Sequence, residues 1–197
     1  MAVDRRDHYH ALRQKHPCIT YEESSYEFIH NELHISYVFR LSEGPVFRPS
    51  IRLLLPDDAG TDNIADSLIR NFIFNLGMAE LISYWKAACP PRVVIKPFSL
   101  GEEQALWWKR LFALGLGEFF YTNGIDPGSD FVHFENAGGP FLKRLSCDGR
   151  RGILVPVGGG KDSAVTLELL SGTGRCRPFM LNPWPASLNT ARKAGYP

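Results

Sequence analysis

Apolar and polar residues alternate along residues 33–41, which is the two-residue period of a strand with one buried face. The apolar positions of this alternation are Leu33, Ile35, Tyr37, Phe39 and Leu41. A polar turn precedes them and joins a candidate strand at Ser25–Ile29, and a Ser-Glu-Gly-Pro turn leads to a third strand at 46–55. Pro49 has no backbone N–H, so we expect the third strand to lie at an edge or to contain a bulge. The first part of the chain is therefore predicted to be an antiparallel β meander.

The middle of the chain changes to a helical period. Apolar residues recur at every fourth position from Ile64 to Leu76, with further apolar residues beside them, which predicts a helix with one broad apolar face. Gly77 is expected to break or kink this helix. The sequence Cys89-Pro-Pro91 is expected to end the helical segment that follows, because proline cannot continue a helix.

Two strands and a further helix are predicted after this proline stop. Short apolar runs at 92–96 and 129–135 indicate the strands. Between them, Ser99 with Glu102 three residues later forms a capping-box pattern, which is typical of a helix start. We therefore expect residues 1–140 to form an α+β domain with an antiparallel sheet.

The strongest chemical signal lies between residues 152 and 170. A short apolar run, Ile153–Val157, indicates a buried strand, and an apolar-periodic helix follows Asp162 and Ser163, which are common N-cap residue types. The residues between strand and helix are Gly158, Gly159, Gly160 and Lys161. Glycine lets backbone N–H groups approach a ligand closely, and a helix N-terminus favours an anion such as phosphate. The pattern therefore predicts a phosphate-binding loop.

The charged residues of this loop fit such a site in a specific way. Asp162 is compatible with phosphate if it binds Mg²⁺ that phosphate oxygens also coordinate, and the Ser163 hydroxyl can donate to a phosphate oxygen. Lys161 either neutralises phosphate charge or faces solvent. The Walker A motif does not match, because the glycines are too close together and Lys161 precedes an aspartate. The structural alternative is a glycine-rich turn between a strand and a helix, with no ligand.

The position of this loop near the end of the chain bears on domain organisation. Asn136–Pro140 is predicted to be a linker, and residues 150–197 to be the start of an α/β nucleotide-binding domain of the Rossmann-like, adenine-nucleotide-hydrolase type. Such a doubly wound domain needs several βα units, but 34 residues follow Ser163. They allow one helix, a strand at 177–181 and a helix near 187–193. We therefore expect a truncated sheet with uncovered apolar faces, in the front portion of a longer protein or in a truncated gene product.

Composition narrows the classes of function. The 197-residue chain has a formal net charge of +1, which argues against a dedicated nucleic-acid-binding protein. No apolar run approaches the ~20 residues that span a bilayer, which argues against a membrane protein. The four cysteines are far apart and show no C-x-x-C spacing, which favours the thiols of a cytoplasmic protein over a zinc site or disulfides. The sequence does not indicate an oligomeric state.

The loop resembles the pyrophosphate loop of the ATP pyrophosphatases, commonly S-G-G-x-D-S after a strand, with Gly158 in the place of the first serine. Enzymes with this loop cleave ATP between the α and β phosphates and activate a substrate as an adenylate. Three stretches, Leu81–Pro91, Gly115–Asp126 and Val155–Ser163, are similar in order and spacing to the ATP-dependent epimerase family that acts on UDP-N-acetylmuramoyl-L-alanyl-L-glutamate. The resemblance extends from Tyr26 to the C-terminus but covers only the front half of that family's enzyme.

The resemblance implies a reaction and its requirements. The terminal L-glutamate of the nucleotide-peptide substrate is inverted to D-glutamate in peptidoglycan synthesis, and ATP and Mg²⁺ are required, with AMP and pyrophosphate released. An acyl-adenylate neutralises the carboxylate beside the Cα–H bond, which makes that proton easier to remove. Within this resemblance, residues 158–163 bind the phosphates of ATP and Asp162 is the magnesium ligand. The catalytic acid and base are not identified.

Three upstream residues within the similar stretches are candidates for contacts with the substrate. Lys86 is predicted on a helix, and Glu118 and Asn123 are expected in a loop after a helix, where functional groups often lie. The alternatives are a solvated lysine on a helix face, and helix-capping or turn roles for the other two. Trp107 and Trp108 are expected to pack in the core and on the surface instead of stacking on a base.

Two other hypotheses stay open from the sequence. Another enzyme of the pyrophosphate-loop class, an amide-forming ligase or a tRNA-modifying enzyme, shares the loop and uses a different acceptor. A tRNA-modifying enzyme is expected to carry a basic patch or a zinc site, and the sequence shows neither. The second hypothesis is an inactive truncated fragment that folds through its N-terminal domain.

Overall fold

The computed structural model describes residues 5–55, 65–142 and 152–196, and the chain divides into two compact units, Met1–Leu145 and Ser146–Pro197. The helices are α1 (Arg5–Lys15), α2 (Asp66–Trp85), α3 (Glu102–Gly115), α4 (Gly117–Asn123), α5 (Lys161–Leu170) and α6 (Pro185–Lys193). The strands are β1 (Cys18–Ile29), β2 (Glu32–Leu41), β3 (Val46–Phe47), β4 (Ser50–Leu54), β5 (Arg92–Ile95), β6 (His133–Asn136), β7 (Ile153–Pro156) and β8 (Cys176–Phe179). A 3-10 turn at Ser171–Thr173 follows α5. No helix among the described residues is long and apolar enough to cross a lipid bilayer.

The first unit is an α+β fold on a mixed sheet. Over the described residues this sheet has six strands in the order β3-β2-β1-β5-β6, with β4 also paired to β2. β2 is antiparallel to β1, β3 and β4, as the meander predicted. β5, however, runs parallel to β1 and to β6. The prediction of a purely antiparallel sheet is therefore wrong. Helices separate β1 and β2 from β5, and β5 from β6, and such crossovers return the chain in the parallel direction.

The core of this unit lies between the central strands and α2. Ile19 and Tyr21 of β1 stand beside Val93 and Ile95 of β5, and all four side chains are fully buried. The alternation along β2 is confirmed, since its predicted apolar positions are the buried ones. The Tyr21 ring stacks on Phe74 of α2, with 5.6 Å between ring centroids. Aromatic rings therefore join the sheet to the helix.

Pro49 divides the predicted third strand in two. The chain forms β3, passes through Arg48 and Pro49, and then forms β4, and both short strands pair with the same edge of β2. Since Pro49 lacks an N–H, it contributes its carbonyl oxygen, which accepts from the backbone N–H of Tyr37 at 3.0 Å. The expected edge position with an interruption is confirmed.

Gly77 does not interrupt the helix, so the predicted break is wrong. α2 continues from Asp66 to Trp85, and the predicted start at Ile64 lies outside the described residues. A Cβ built on Gly77 would lie 2.0 Å from the Tyr21 hydroxyl oxygen and 2.7 Å from the Tyr37 ring. The glycine therefore lets α2 pack closely against β1 and β2.

The start of α3 also differs from the predicted capping box. The N-cap is Gly101, whose backbone N–H donates to the Gln104 side chain at 2.9 Å. Ser99 is buried and its hydroxyl donates instead to the carbonyl oxygen of Gly139. Further along α3, Trp108 is 5% exposed and Trp107 is 57% exposed, which confirms their predicted packing in the core and on the surface.

The predicted linker, Asn136–Pro140, lies within the first unit and packs on the residues before α3. The Asn136 amide exchanges two hydrogen bonds with the backbone of Leu100, at 2.8 and 3.0 Å. A Cβ on Gly139 would lie 2.5 Å from the carbonyl oxygen of Lys96. Residues 143–151, which include Cys147 and the predicted start of the second domain, lie outside the described residues.

The described part of the second unit contains two parallel strands, β7 and β8, with α5 and α6. The predicted strand, turn and helices are all present in the expected order. β7 is buried on alternate positions, however: Val155 is 3% exposed, whereas Leu154 is 65% exposed. The predicted buried strand is therefore buried on one face, and the exposed Leu154 fits the expected sheet with uncovered apolar faces. That this unit begins a Rossmann-like nucleotide-binding domain stays a prediction.

Candidate functional site

The glycine loop lies at the carboxyl end of β7, between that strand and α5. Val157 continues the pairing with β8 by donating its backbone N–H to the carbonyl oxygen of Phe179 at 2.8 Å. The chain then leaves the sheet at Gly158, and α5 begins at Lys161. The carboxyl ends of parallel strands are where α/β folds bind their ligands. The predicted site residues 158–163 therefore lie at the carboxyl end of β7, and their binding of a ligand stays a prediction.

The backbone conformation of this loop requires a glycine at position 159. Its φ of +88° lies in the left-handed region that favours glycine. A Cβ on Gly159 would also lie 2.6 Å from the backbone nitrogen of Ser187, in the first turn of α6. The N-termini of α5 and α6 therefore both lie at this loop. The positive ends of two helix dipoles favour an anion there, and the second of them was not foreseen from the sequence.

The loop is closed by a hydrogen bond between its two ends. The backbone N–H of Gly158 donates to the Ser163 hydroxyl oxygen at 3.1 Å. Since that oxygen still carries its own proton, Ser163 keeps the capacity to donate to a ligand. The N-cap of α5 is Gly160 rather than the predicted Asp162 or Ser163, and it provides no side-chain cap. The N–H groups of the first helical turn are therefore available to a ligand oxygen.

The charged side chains of the loop are exposed, and the space around it is open. Lys161 and Asp162 are both exposed, in the first turn of α5. A Cβ on Gly158 or Gly160 would meet no atom within 4 Å. Among the described residues, no three His, Cys, Asp or Glu side chains cluster as metal ligands. A single carboxylate such as that of Asp162 is compatible with Mg²⁺ coordination, because Mg²⁺ in proteins is commonly bound by one or two carboxylates together with phosphate and water oxygens.

A second candidate region is a cleft of about 600 Å³ in the first unit, at α1, the C-terminal end of α2 and α4. It is lined by His8, Tyr9, Leu12, Lys86, Ala87, Cys89, Phe119, Thr122, Asn123 and Ile125. Two of the three candidate substrate residues, Lys86 and Asn123, therefore lie in one cleft. Glu118 is exposed and does not line it.

The predicted loop around Glu118 and Asn123 is a short helix instead. Both residues belong to α4, which begins at Gly117 immediately after α3 and ends at Gly124 with a φ of +64°. α3 does end at Gly115, but a second helix begins at Gly117, and Leu116 and Phe120 are buried in the core. The Asn123 side chain donates to the carbonyl oxygen of Phe119 at 2.8 Å, as its alternative capping role predicted.

One wall of the cleft is a strained turn that the sequence did not reveal as a feature of a site. Cys89 has a φ of +49°, an uncommon conformation for a residue with a side chain. Arg13 of α1 holds this turn by donating to the carbonyl oxygens of Cys89 and of Phe131. Burial raises the pKa of the Cys89 thiol to about 12, although the Arg13 charge opposes this, so the sulfur stays protonated at neutral pH. Cys89 therefore shapes the cleft without acting as a thiolate.

Comparisons with known proteins agree with the resemblance of the three stretches. Three curated relatives are each named UDP-N-acetyl-alpha-D-muramoyl-L-alanyl-L-glutamate epimerase. The protein of Salinispora tropica is 31% identical over 176 residues, 88% of this chain and 36% of the relative. That of a Micromonospora species is 34% identical over 143 residues, 73% of this chain and 30% of the relative. That of Xanthomonas oryzae pv. oryzae is 37% identical over 93 residues, 47% of this chain and 20% of the relative.

The chain thus spans 20 to 36% of the length of these relatives. No solved structure matches it significantly. A family model described as the MurL N-terminal domain matches residues 10–197. Because this match covers nearly the whole sequence, the chain belongs to the MurL N-terminal domain family.

Proposed function

We propose that this protein takes part in the ATP-dependent epimerisation of the terminal L-glutamate of UDP-N-acetylmuramoyl-L-alanyl-L-glutamate to D-glutamate, in peptidoglycan synthesis. Membership of the MurL N-terminal domain family supports the proposal, together with the names of three relatives as epimerases of this substrate. The observation that carries it is the glycine loop at the carboxyl end of β7, where two helix N-termini meet.

Within this proposal the loop binds the phosphates of ATP. The backbone N–H groups of α5's first turn donate to phosphate oxygens, the Ser163 hydroxyl adds a donor, and Lys161 adds a positive charge. Gly159 holds α6 against the loop, so that its N-terminus adds to the positive potential. A loop of this kind provides many weak donors in one place, which suits a polyphosphate with charge spread over several oxygens.

Asp162 is proposed to hold Mg²⁺ at this loop. When bound, the ion neutralises phosphate charge as pyrophosphate leaves. The Asp162 carboxylate is exposed at the N-terminal end of α5, where a carboxylate is also favoured by the helix dipole. Its role is therefore to keep a cation beside the phosphates that the loop N–H groups orient.

The chemistry explains why ATP is needed. The Cα–H bond beside a free carboxylate is a very weak acid, because its removal places a second negative charge next to the first. Converting that carboxylate to an acyl-adenylate removes the charge, after which the proton can leave one face and return to the other. Hydrolysis of the adenylate then gives the D-glutamate product, with AMP as the second product.

The decisive experiment uses this chain beside a full-length relative that carries the same three stretches, each incubated in D₂O with the nucleotide-peptide, ATP and Mg²⁺. We expect the relative to release AMP and pyrophosphate and to incorporate one deuterium at the glutamate Cα, because inversion requires loss of that proton. Adenylate formation without deuterium would contradict epimerisation and favour an amide-forming ligase.

Asp162→Ala tests the role of the loop directly. Placed at the matching aspartate of the relative, this substitution is expected to reduce pyrophosphate release by at least 100-fold, the order of effect for losing a key electrostatic group at a reacting centre. Asp126→Ala is the matched control, because Asp126 is an exposed aspartate of the first unit, outside both the loop and the cleft lining. Equal rates for the two variants would remove Asp162 from the mechanism.

A further inference from the structure

The cleft of the first unit has a distinct chemical character. One part of its lining is polar, with the Lys86 ammonium, the His8 imidazole and the Asn123 amide. Another part is apolar and includes Leu12, Phe119 and Ile125. Of the described residues that line it, none is an aspartate or glutamate. This lining therefore offers hydrogen-bond donors and positive charge beside an apolar surface.

Lys86 is the charge best placed to attract an anion. It caps the C-terminal end of α2 and its side chain is exposed. Among the described residues, Lys96 and Lys109 form ion pairs with Glu22 and Asp130, whereas Lys86 has no carboxylate partner. An unpaired ammonium beside an apolar surface attracts a carboxylate without first breaking an internal ion pair.

The wall beside Lys86 is fixed in shape before any ligand arrives. The turn after α2 contains the left-handed Cys89, which is buried. Arg13 holds its carbonyl oxygen, and the Trp85 indole N–H donates to the Pro90 carbonyl oxygen at 2.8 Å. A strained backbone conformation of this kind persists only where the surrounding contacts hold it in place, and such conformations are common at ligand sites. The turn thus sets where Lys86 and Ala87 stand relative to α4.

The residues that line the cleft suit the peptide part of a nucleotide-peptide better than its pyrophosphate part. Pyrophosphate is usually recognised by arginine forks or by runs of backbone N–H groups. Among the described residues that line this cleft none is an arginine, and Lys86 provides a point charge instead. A short acidic peptide presents isolated carboxylates, amides and small apolar groups, and these match a lysine, an asparagine and an apolar surface respectively.

We propose that this cleft binds the acidic dipeptide end of the nucleotide-peptide, with Lys86 facing a glutamate carboxylate, the Asn123 side-chain oxygen accepting from a peptide N–H and the apolar residues facing the alanyl methyl group. The assignment of this ligand rests on the proposed function. The loop of the second unit is left to the phosphates of ATP, so the two units bind chemically different ligands.

The test is a titration of the ¹⁵N-labelled chain with N-acetyl-L-alanyl-L-glutamate, followed by backbone amide chemical shifts. We expect saturable shifts at the cleft, at Lys86, Ala87, Phe119 and Asn123, and none in residues 158–163. Lys86→Gln is expected to weaken binding about fivefold, the size of one solvent-exposed charge contact. Ala87→Asp places a carboxylate in the wall at an exposed position and is expected to abolish saturable binding.

Two controls keep the result specific. Lys15→Gln removes an exposed lysine charge from α1 outside the cleft lining, and it is expected to leave the affinity unchanged. The neutral N-acetyl-L-alanyl-L-glutamine amide is expected to bind at least fivefold more weakly than the acidic dipeptide. No shifts at the cleft, equal effects of the two lysine variants, or tighter binding of UDP or pyrophosphate at the cleft would each overturn the inference.

The outcome separates this inference from the proposed reaction. If the relative incorporates deuterium and releases AMP but the cleft shows no dipeptide binding, the reaction stands and the cleft assignment fails. If the cleft binds the acidic dipeptide while the relative forms no D-glutamate, the binding site stands and the proposed reaction fails.

Discussion

The two units differ in how their apolar residues are used. In the first unit, aromatic side chains close the interior: the Trp85 indole makes edge contacts with Phe112, Phe120 and Phe131, at centroid distances of 5.6 to 6.3 Å. In the second unit, the buried cluster consists of Val155, Val157 and Leu167. Large apolar side chains are exposed on its surface, namely Leu154, Val165, Leu169, Phe179, Leu181 and Trp184. The first unit fills its core, whereas the second holds a loop in place with few buried contacts.

The two units also differ in what sets their shape. Close packing sets the shape of the first unit, and Arg13 holds the turn at the wall of its cleft. Shape in the second unit is set by backbone requirements, such as the left-handed Gly159 and the bond from Gly158 to Ser163.

The largest effect is expected at Gly77, where packing is closest. Gly77→Ala places a Cβ 2.0 Å from the Tyr21 hydroxyl oxygen, and we expect it to destabilise the first unit by about 3 kcal/mol or more, since well-packed cores tolerate added atoms poorly. Gly115→Ala is the matched control, because it also lies in a helix and its Cβ would meet nothing within 4 Å. Urea unfolding followed by near-UV circular dichroism measures both. Equal stabilities of the two variants would show that the core is not closely packed.

A pair of leucines in α5 tests the small core of the second unit. Leu167 is fully buried and Leu169, two residues on, is 76% exposed. Leu167→Ala is expected to destabilise this unit by about 2 to 3 kcal/mol, because it removes a large share of the few buried contacts. Leu169→Ala is expected to change stability by less than about 0.5 kcal/mol. Hydrogen exchange of peptides from residues 153–170 gives both values. A similar loss for both variants would mean that Leu169 is covered in solution.

Substitutions at two glycines of the loop test its conformation and its contact with a ligand separately. Gly159→Ala requires a left-handed alanine that also contacts α6, so we expect it to destabilise the second unit by about 2 kcal/mol. Gly158→Ala meets no atom within 4 Å and is expected to leave the fold unchanged. If the loop binds phosphate through its backbone, the added methyl still weakens binding of a fluorescent ATP analogue, by about tenfold. Unchanged binding in Gly158→Ala would show that phosphate does not approach this part of the loop.

Local patterns predicted much of the fold. The alternation in β2, the glycine loop after β7 and the helix at its end depend on neighbours in sequence, and all three are present where expected. Strand direction in β5 and β6 depends on crossovers, which local alternation does not encode, so the sheet was wrongly predicted as antiparallel. Gly77 illustrates the same limit: glycine disfavours a helix locally, but contact with Tyr21 and Tyr37 across the core explains its presence.

The candidate site was likewise predictable only where it depends on residues that are neighbours in sequence. The pattern placed residues 158–163 together because they are contiguous. It could not show that α6 contributes a second helix N-terminus, since Ser187 lies far along the chain and meets Gly159 only in the folded unit. It named Lys86 and Asn123 but not His8 and Arg13, which lie on α1, a helix that the sequence did not predict. It also did not predict the strained backbone at Cys89, in the turn after α2. A strained turn held by a distant arginine leaves no signal in a single sequence.

The smallest effect is expected from charge on the surface of the first unit. Oε1 of Glu22 lies 3.2 Å from Lys96 Nζ and 3.2 Å from Arg40 Nε. Burial raises the pKa of the Glu22 carboxyl, but these two cations outweigh that effect and hold the pKa below its ordinary value of 4.5. A carboxyl whose pKa is lower in the folded state stabilises the fold above the unfolded pKa, and this contribution is lost as the pH falls through the folded pKa.

Glu22→Gln is therefore expected to destabilise the first unit at pH 7 by about 0.5 kcal/mol, because solvent screens both contacts. The difference from the unsubstituted chain is expected to shrink as the pH falls below 4.5 and to vanish once Glu22 is protonated. Glu23→Gln is the matched control at the neighbouring glutamate, which is exposed, and it is expected to change the stability at pH 7 by less than Glu22→Gln does. Urea unfolding from pH 7 downward measures both variants. A loss for Glu22→Gln as large as that for Gly77→Ala would mean that charge pairs, and not packed rings, hold the first unit together, and the contrast between the units would fail.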